Sequence, residues 1–396
     1  MERVDIEKLY RKYKLTVNLS GIRQSAFKSG FFVSFRKSKM DLIQLTKKLI
    51  SIPSYVDKTT NENRIGEFIY SFLKQNTKLK IQTQKVDSRF NILATQNEVQ
   101  LLFIGHTDTV PSKNQKQLSP VIKNGRIYGL GATDMKGGLA CILKALVEAK
   151  NLNTIGFLFY VGEEYDFAGM SKFISSNKIK PQLVVSADGT DLKIGDSCRG
   201  LFEVNFKIKG KTAPAYREML GRNPILFIGP TINSLKEKYP GSSINLAYLE
   251  AGLKFKNKII NQPNCVPNFA KGTIDIRLYN ATGEEILKNL KNLLKKQDLI
   301  FTYKINFNLP GWKTERKYYQ VFLNLVRNEL KSLPTQDPRD RGYIDIALLA
   351  NKLNIPCIDF GPGLTTQAHA EDEYVNIKNL KVCQRIFKEL IEKFTQ

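Results

Sequence analysis

Histidine is scarce in this chain, and both copies stand beside acids. His106 lies in LLFIGHTDTVP, directly after a short apolar run, and His369 lies in GLTTQAHAEDEYV, beyond another such run. Runs of this kind are typical of buried strands in an open α/β sheet, and ligand sites form at the carboxyl ends of such strands. A lone histidine is usually structural or solvated. Two histidines at strand ends among acids favour a functional site instead.

Acids occupy the same kind of position in further segments. They follow apolar runs or lie in the loops beyond them: Asp108, Asp134, Glu163, Glu164 and Asp188. So many carboxylates at buried strand ends call for a cation that compensates their charge. Imidazole and carboxylate without thiolate form the ligand set of catalytic zinc, and they also suit Co²⁺ or Mn²⁺. The alternative, a set of helix caps and salt bridges, explains any one acid more easily than all five.

A pair of such metal ions would support the hydrolysis of an amide. Two bound metals lower the pKa of water from about 15.7 towards about 7 and polarise the carbonyl group. A neighbouring carboxylate that is not a ligand can then carry the proton, which contributes roughly 10²–10⁴ in rate. In the pair Glu163-Glu164 the side chains diverge, so that one can bind metal while the other faces the substrate. Spacing alone does not decide which residue has which role.

The elements that must position these residues alternate between helix and strand. Strands are predicted at 101–105, 155–161 and 183–188, and helices at 42–50, 61–75, 137–150 and 168–176. This alternation predicts an α/β fold with a mostly parallel sheet sandwiched by helices. It resumes near residue 309, so that 40–199 and 309–396 are predicted to form one discontinuous catalytic domain.

The segment 200–308 follows a different order. Strand, helix, two strands, helix and strand succeed one another, which is the ferredoxin-like α+β arrangement. The segment is therefore predicted to be a smaller inserted domain. Residues 1–39 carry many more basic than acidic side chains. They are predicted to be a basic N-terminal extension that is partly disordered.

Several of these segments together resemble a known family. The matching stretches run in the family's order from Gly105 to Val375: GHTDTVP, GLGATDMKGG, GEE, the acid at Asp188, CRG, NCVPNFAKGTIDIRL and AHAEDEYV. They resemble the zinc aminoacylase/acetylornithine deacetylase/succinyl-diaminopimelate desuccinylase/carboxypeptidase G family of co-catalytic di-zinc metallopeptidases. The resemblance implies a zinc-exopeptidase-like catalytic domain, with the inserted domain as a lid and as the interface of a homodimer.

The resemblance also implies a role for each chemical group. The ligand set would consist of a bridging acid and two further residues for each of two Zn²⁺ ions: Asp134 in the bridge, His106 and Asp188 at one ion, Glu164 and His369 at the other. Asp108 would hydrogen-bond the far nitrogen of His106 and so fix its tautomer. Glu163 would be the general base that takes a proton from the attacking water and returns it to the leaving amine.

Two residues of the inserted domain match the family's substrate-anchoring pair. Asn264 stands in N-x-V-P and Arg277 in D-x-R. The fork of an arginine guanidinium binds a carboxylate in bidentate fashion, which suits the carboxylate of an amino acid. The alternative for Arg277 is a strand-edge salt bridge with Asp275 or Glu284.

The inserted domain also departs from the family. The family usually has a histidine here that helps to stabilise the oxyanion, and the aligned position in this chain is Pro214. Loss of one such donor typically lowers the rate by about 10²–10³. Either Thr212, Tyr216 or Arg217 replaces the histidine, or the enzyme is slow or has a changed substrate. A relative that binds metal without turnover is the further alternative.

The substrate predicted from this resemblance is an N-acyl amino acid, cleaved at its amide bond as in acetylornithine deacetylase or succinyl-diaminopimelate desuccinylase. Two alternatives remain open. Aspartate rather than glutamate at Asp188 is commoner among the family's aminopeptidases and dipeptidases, which favours a short peptide. The formal net charge of +24 would suit release of lysine or ornithine from an acidic amino-group carrier protein.

Composition limits the partners and the compartment. The basic residues are dispersed without an Arg-rich run or zinc-finger spacing, which argues against nucleic acid as a partner. No apolar run approaches the roughly 18 residues of a membrane span. The five cysteines are scattered without a C-x-x-C pair, which argues against a disulfide framework and favours a reducing compartment. A cytoplasmic enzyme acting on a small molecule is the resulting expectation.

Overall fold

The computed structural model describes residues 40–57, 59–176 and 179–396. The predicted extension at 1–39 lies outside the described residues. The chain forms two compact units. Over the described residues, the larger unit comprises 40–196 together with Thr314–Gln336 and Leu348–Gln396. The inserted unit comprises Ser197–Lys313 and also Asp337–Ala347, a segment that the sequence analysis assigned to the catalytic domain.

Strands and helices are numbered in chain order over the described residues. The strands are β1 (Lys80–Val86), β2 (Arg89–Thr95), β3 (Leu101–His106), β4 (Val121–Lys123), β5 (Arg126–Tyr128), β6 (Ile155–Tyr160), β7 (Leu183–Ser186), β8 (Ser197–Cys198), β9 (Gly200–Lys209), β10 (Ser243–Phe255), β11 (Lys258–Ile260), β12 (Phe269–Leu278), β13 (Ile300–Leu309), β14 (Trp312–Lys313), β15 (Cys357–Asp359) and β16 (Tyr374–Asn376). The α-helices are α1 (Leu42–Ile50), α2 (Asn63–Asn76), α3 (Gly137–Glu148), α4 (Ala168–Ser176), α5 (Pro224–Lys238), α6 (Gly283–Lys295), α7 (Gln320–Leu330), α8 (Ile346–Leu353) and α9 (Ile377–Phe394).

A six-stranded sheet forms the centre of the larger unit. Its strand order is β1-β2-β6-β3-β7-β15. Strand β3 runs parallel to β6 and β7, and β15 runs parallel to β7. Every residue of β3 and β6 is buried, as expected of strands that are covered on both faces. The mostly parallel sheet predicted from the sequence is therefore confirmed for its centre. The β1–β2 edge is antiparallel, because these strands form a hairpin.

Helix packing brings the ends of the central strands close to the chain that follows Asp134. Helix α3 packs against α9 and α1 in the main core of the larger unit. At Gly138, near the start of α3, an added Cβ would lie 1.9 Å from the backbone oxygen of Ala187. Only glycine permits this approach. The helix after Asp134 is thereby held against the residue that precedes Asp188, at the end of β7.

The inserted unit has the predicted ferredoxin-like order. Its five-stranded sheet runs β11-β10-β12-β9-β13, and every pair in it is antiparallel. Burial alternates along β9 and β12, so that one face of the sheet joins a core with helices α5 and α6. Thr282 is the N-cap residue just before helix α6, and its hydroxyl accepts a hydrogen bond from the Glu285 amide. An N-cap of this kind explains why the amphipathic pattern starts there.

No helix among the described residues is both long and apolar enough to cross a membrane.

Candidate active site

His106 ends strand β3, and its ring lies inside the larger unit with 2% of its surface exposed. Its Nε2 lies 2.9 Å from Oδ1 of Asp134. Its Nδ1 lies 3.2 Å from the backbone oxygen of Asp108 and 3.5 Å from the carboxylate of the same residue. One ring nitrogen therefore faces an acid at the edge of the sheet, while the other is engaged by Asp108. Such an arrangement fixes the orientation and the tautomer of a metal-binding histidine.

His369 approaches the same acid from a loop beyond β15. Its backbone is left-handed, with φ 61°, and its side chain is 51% exposed. Its Nε2 lies 2.8 Å from Oε1 of Glu164 and 3.5 Å from Oδ2 of Asp134. This imidazole is therefore accessible to solvent, in contrast to His106.

The two oxygens of the Asp134 carboxylate thus face two different histidines. Five side chains form two overlapping groups of possible metal ligands: His106, Asp134 and Asp188 in one, and Asp134, Glu164 and His369 in the other. Within each group the ligand atoms lie within 4.8 Å of one another. The structure thus brings together all five residues that the sequence analysis named as ligands. Asp134 is shared by both groups.

The electrostatics of this cluster depend on protons carried by the histidines. Burial raises the pKa of Asp134, but hydrogen bonds from His106 and His369 outweigh it and hold that pKa far below its ordinary value. Burial lowers the pKa of His106, yet hydrogen bonds to Asp108 and Asp134 hold it well above its ordinary value. Hydrogen bonds to Asp134 and Glu164 raise the pKa of His369 to about 10. Two protonated imidazoles therefore offset part of the negative charge of the carboxylates, and divalent cations would take over that role.

The donor set fits divalent zinc. Bonds from zinc to imidazole nitrogen or carboxylate oxygen measure about 2.0–2.2 Å, so two ligand atoms of one ion lie at most roughly 4.4 Å apart. The distances between His106 and Asp134 (2.9 Å), His369 and Glu164 (2.8 Å) and His369 and Asp134 (3.5 Å) all lie within that limit. The set consists of nitrogen and oxygen atoms without thiolate, which is the composition of catalytic zinc sites and also suits Co²⁺ or Mn²⁺.

Asp108 has a second contact that sequence reasoning missed. Its Oδ1 accepts hydrogen bonds from the amides of Gly162 and Glu163, at 3.0 and 3.1 Å, and its Oδ2 accepts one from Glu164 at 2.8 Å. Burial raises the pKa of Asp108, but His106 and the amides of Glu163 and Glu164 outweigh burial. The pKa is therefore lower than its ordinary value, and the carboxylate stays ionised. The acid that orients His106 therefore also holds the turn that carries both glutamates. Glu163 lies half-buried on that turn, beside Glu164.

Comparison with known proteins places this site in a family. The family model described as "Peptidase family M20/M25/M40" matches residues 102–393. The chain belongs to this family. It is accordingly a hydrolase of the metallopeptidase and amidohydrolase type, as the sequence analysis expected.

Relatives and solved structures agree over most of the chain. An acetylornithine deacetylase from Buchnera aphidicola subsp. Schizaphis graminum is 28% identical over 381 residues, covering 89% of this chain and 97% of the relative. A succinyl-diaminopimelate desuccinylase from Vesicomyosocius okutanii is 27% identical over 384 residues, covering 88% and 98%. A tripeptidase structure from Staphylococcus aureus matches with a TM-score of 0.72 at 20% identity, covering 89% of this chain and 97% of the other. The structural match shows that this M20 chain shares the fold.

The inserted unit of this M20 protein contains the two predicted substrate anchors. Arg277 lies on β12, and its Nε is 3.0 Å from Oδ1 of Asp275. The salt bridge weighed as the alternative is therefore formed in the structure. Asn264 is exposed, and its side-chain oxygen accepts a hydrogen bond from Gln262 at 2.9 Å. Arg199 belongs to the same unit, and burial together with the charge of Arg277 lowers its pKa.

Pro214 lies at the start of a short 3-10 turn in the inserted unit, Ala215–Leu220. The three residues considered as replacements for the family's histidine, Thr212, Tyr216 and Arg217, are all exposed. The guanidinium of Arg217 lies 5.6 Å from the ring centre of Tyr216. Within this unit, therefore, nothing distinguishes one of them as the oxyanion donor.

A buried ion network in the larger unit supports the glutamate turn from its other side. Arg89 is almost fully buried, with its Nη1 3.0 Å from Oε1 of Glu62 and its Nη2 2.7 Å from Oδ2 of Asp166. The other oxygen of Asp166 accepts the amide of Ala168 at the start of helix α4. At Gly162, with φ 79°, an added Cβ would lie 2.3 Å from that same oxygen. This network was missed because its members lie far apart in the sequence.

Proposed function

We propose that this M20 family protein is a two-metal hydrolase that cleaves the amide bond of N-acyl amino acids. One observation carries the proposal. The two oxygens of Asp134 each lie against a histidine from a different ligand group, as a carboxylate bridging two ions requires. The preferred ions are two Zn²⁺, with Co²⁺ or Mn²⁺ as alternatives. The two relatives named above, both acting on acylated amino acids by name, support the substrate class.

The positions of the residues support the division of roles that the family resemblance implies. His106, Asp188, Glu164 and His369 would hold the ions together with Asp134. When bound, the metals supply a water of lowered pKa and an electrophile for the scissile carbonyl. Glu163, on the turn held by Asp108, would accept the proton of the attacking water and deliver it to the leaving nitrogen. Asp108 keeps the ring of His106 and this turn in fixed relation, so both parts of the site depend on one buried carboxylate.

Arg277 and Asn264 are the residues we propose for binding the carboxylate of the substrate. The guanidinium of Arg277 is only about a third exposed and already holds the carboxylate of Asp275. The guanidinium is therefore oriented to bind a carboxylate. The carboxylate of a substrate would either share the guanidinium with Asp275 or displace Asp275 from it. Charge-assisted bidentate pairs of this kind are strong and geometrically selective.

A second candidate function is the cleavage of dipeptides or other short peptides. The observation that favours it is the carboxylate at Asp188, where the family's aminopeptidases and dipeptidases commonly have aspartate. Release of lysine or ornithine from an acidic carrier protein is a further variant, favoured by the net charge of +24. Opposite charges would accelerate the encounter with such a partner.

The test compares wild type with Glu163→Gln, both loaded with zinc or with cobalt. The panel contains N-acetyl amino acids, N-succinyl amino acids and dipeptides, and metal content is measured on the same samples. We expect two ions per chain in both proteins and a loss of about 10²–10⁴ in kcat for the variant. Glu67→Gln, an exposed position on helix α2, is the matched control and should retain the activity of wild type.

Two results would overturn the proposal. Wild type that holds two metal ions but hydrolyses no member of the panel would indicate the non-catalytic relative. Hydrolysis that survives Glu163→Gln unchanged would remove Glu163 from its role. A preference for dipeptides over acylated amino acids would favour the second candidate function.

A further inference from the structure

Glu373 is a buried acid close to the candidate site with no role in the function proposed above. Its side chain is 2% exposed, and it precedes strand β16. Its Oε2 accepts a hydrogen bond from the amide of Gly131 at 2.9 Å. Its Oε1 accepts hydrogen bonds from the amides of Thr133 and Asp134, at 2.8 and 3.1 Å. One carboxylate therefore engages three amides of the loop that carries Asp134.

This loop lacks regular secondary structure that would satisfy those amides. Asp134 itself has φ −127° and ψ 93°, which is not helical. Gly131 is left-handed, with φ 76°. Backbone amides buried in such a segment need an acceptor from elsewhere, because an unpaired buried amide is costly. The carboxyl group of Glu373 is that acceptor, because its two oxygens accept all three amides.

Further contacts join the same two segments. The hydroxyl of Thr133 donates to the backbone oxygen of Tyr374 at 2.6 Å, and the amide of Gly129 donates to the backbone oxygen of Glu373 at 2.9 Å. Lys136, at the end of the same loop, is also buried. Its Nζ donates to the backbone oxygen of Ile52 at 2.8 Å, so the loop is held by a third segment as well.

The arrangement repeats on the Asp134 loop what Asp108 does on the glutamate turn. In both places a buried carboxylate accepts three backbone amides and thereby fixes a segment that carries proposed metal ligands. The two cases differ in their reach. Asp108 holds a turn with one ligand, Glu164, whereas Glu373 holds the loop of Asp134, which belongs to both ligand groups.

We propose that Glu373 is a positioning residue whose carboxylate fixes the Asp134 loop and thereby the affinity of both metal sites. The inference rests on the proposed function, because it assumes that these groups bind metal. Removal of residues that orient metal ligands typically lowers metal affinity about 10–100-fold. A loss of that size is expected for Glu373→Ala at both sites together. Glu373→Gln retains one acceptor oxygen, so its loss should lie between Glu373→Ala and wild type.

The experiment measures zinc affinity by competition with a chromophoric chelator, on full-length protein. Amide hydrogen exchange of the segment 129–136 is measured in parallel on metal-free protein. Both variants should exchange faster in this segment than wild type. Exchange should be fastest in Glu373→Ala, which is expected to have the lowest zinc affinity, and intermediate in Glu373→Gln. Asp372→Asn is the matched control, because it removes a neighbouring carboxylate that is exposed. It should leave both readouts unchanged.

The outcomes separate the possible failures. The inference would be overturned if a folded Glu373→Gln had the zinc affinity and the hydrogen exchange of wild type. This result would decide the question even if Glu373→Ala failed to fold. Faster exchange with unchanged zinc affinity would overturn the link to the metals and leave Glu373 as a structural residue. If wild type itself binds no zinc, the proposed function fails, and hydrogen exchange still decides whether Glu373 holds the loop.

Discussion

Asp134 differs from the other proposed ligands because it belongs to both ligand groups. His106 and Asp188 belong to one group, and Glu164 and His369 belong to the other. Substitution of Asp134 should therefore affect two ions, whereas substitution of any other ligand should affect chiefly one. This difference in reach makes the bridging assignment testable without a substrate.

We expect Asp134→Ala to lose both metal ions, because each group then keeps only two ligands. We expect His369→Ala to retain about one ion, because the group with His106 keeps all three ligands, and three protein ligands suffice to bind zinc. Metal content per chain after dialysis, measured by elemental analysis, checks this. Wild type dialysed in parallel is the reference. Equal metal content in the two variants would contradict a bridging role for Asp134.

The protonation of the two histidines gives a second prediction at this scale. In the metal-free protein, acidic neighbours hold the pKa of His106 well above its ordinary value and raise that of His369 to about 10. Both imidazoles therefore carry a proton at pH 7, and zinc binds the neutral form. Zinc binding at pH 7 should release about two protons per chain. Affinity should rise with pH until the pKa of His369 is passed.

Calorimetry in buffers of different ionisation enthalpy measures that proton release. His369→Ala should release about one proton fewer than wild type, because one imidazole is gone. Proton release near zero at pH 7 would mean that the histidines are already neutral in the metal-free protein.

At the scale of elements, most of the residues with proposed roles lie at or just after the ends of β3, β6 and β7, and these segments are held by contacts from elsewhere in the unit. Arg89 at the start of β2 holds Asp166, which lies on the turn after β6. Its second partner, Glu62, is fully buried and has one oxygen without a hydrogen-bond partner among the described residues. The network therefore contains one fully buried and one partly buried carboxylate that share a single guanidinium.

Arg89→Met should destabilise the protein strongly, because it removes the counter-charge of the fully buried Glu62 and of the partly buried Asp166. Breaking a buried ion pair by removing one partner typically costs about 3–5 kcal/mol in the free energy of unfolding. Urea denaturation measures the change. Arg64→Met, at an exposed position on helix α2, should change the free energy by less than about 0.5 kcal/mol. A similarly small effect at Arg89 would show that the network is not needed for stability.

These elements also show what the sequence could reveal. The two histidines and the five acids could be singled out as a candidate metal site, because residue type and position at the ends of apolar runs mark them. The choice of five ligands among them rested on the resemblance to the family, because spacing did not separate Glu163 from Glu164. Strand β1 could not be predicted, because its residues are mostly polar and only Val86 is fully buried. The contact between Glu373 and the loop of Asp134 could not be predicted either. Gly131 and Glu373 lie 242 positions apart, and a side chain that binds backbone amides leaves no pattern in the residues it binds.

At the scale of the whole molecule, the residues with proposed roles are distributed over both units. The larger unit contains every proposed metal ligand and Glu163, and the inserted unit contains Arg277 and Asn264. If the proposed roles are right, substitutions in the two units should have different kinetic consequences. Changes in the larger unit should lower metal content or kcat. Changes at the carboxylate-binding arginine should weaken substrate binding and leave the metals in place.

Arg277→Met is the substitution that tests this division. Loss of a charge-assisted hydrogen bond typically costs about 1.5–3 kcal/mol, so KM for the best substrate of the panel should rise about 10–150-fold. Metal content and thermal stability should stay those of wild type, since the partner of Arg277 in the structure, Asp275, is itself partly exposed.

Arg277→Lys should recover only part of the affinity, because an ammonium group keeps the charge but cannot form the bidentate pair. Asp275→Asn is the matched control: it frees the guanidinium and should not raise KM. A fall in kcat at constant KM, or a loss of metal in Arg277→Met, would contradict a role confined to binding the substrate carboxylate.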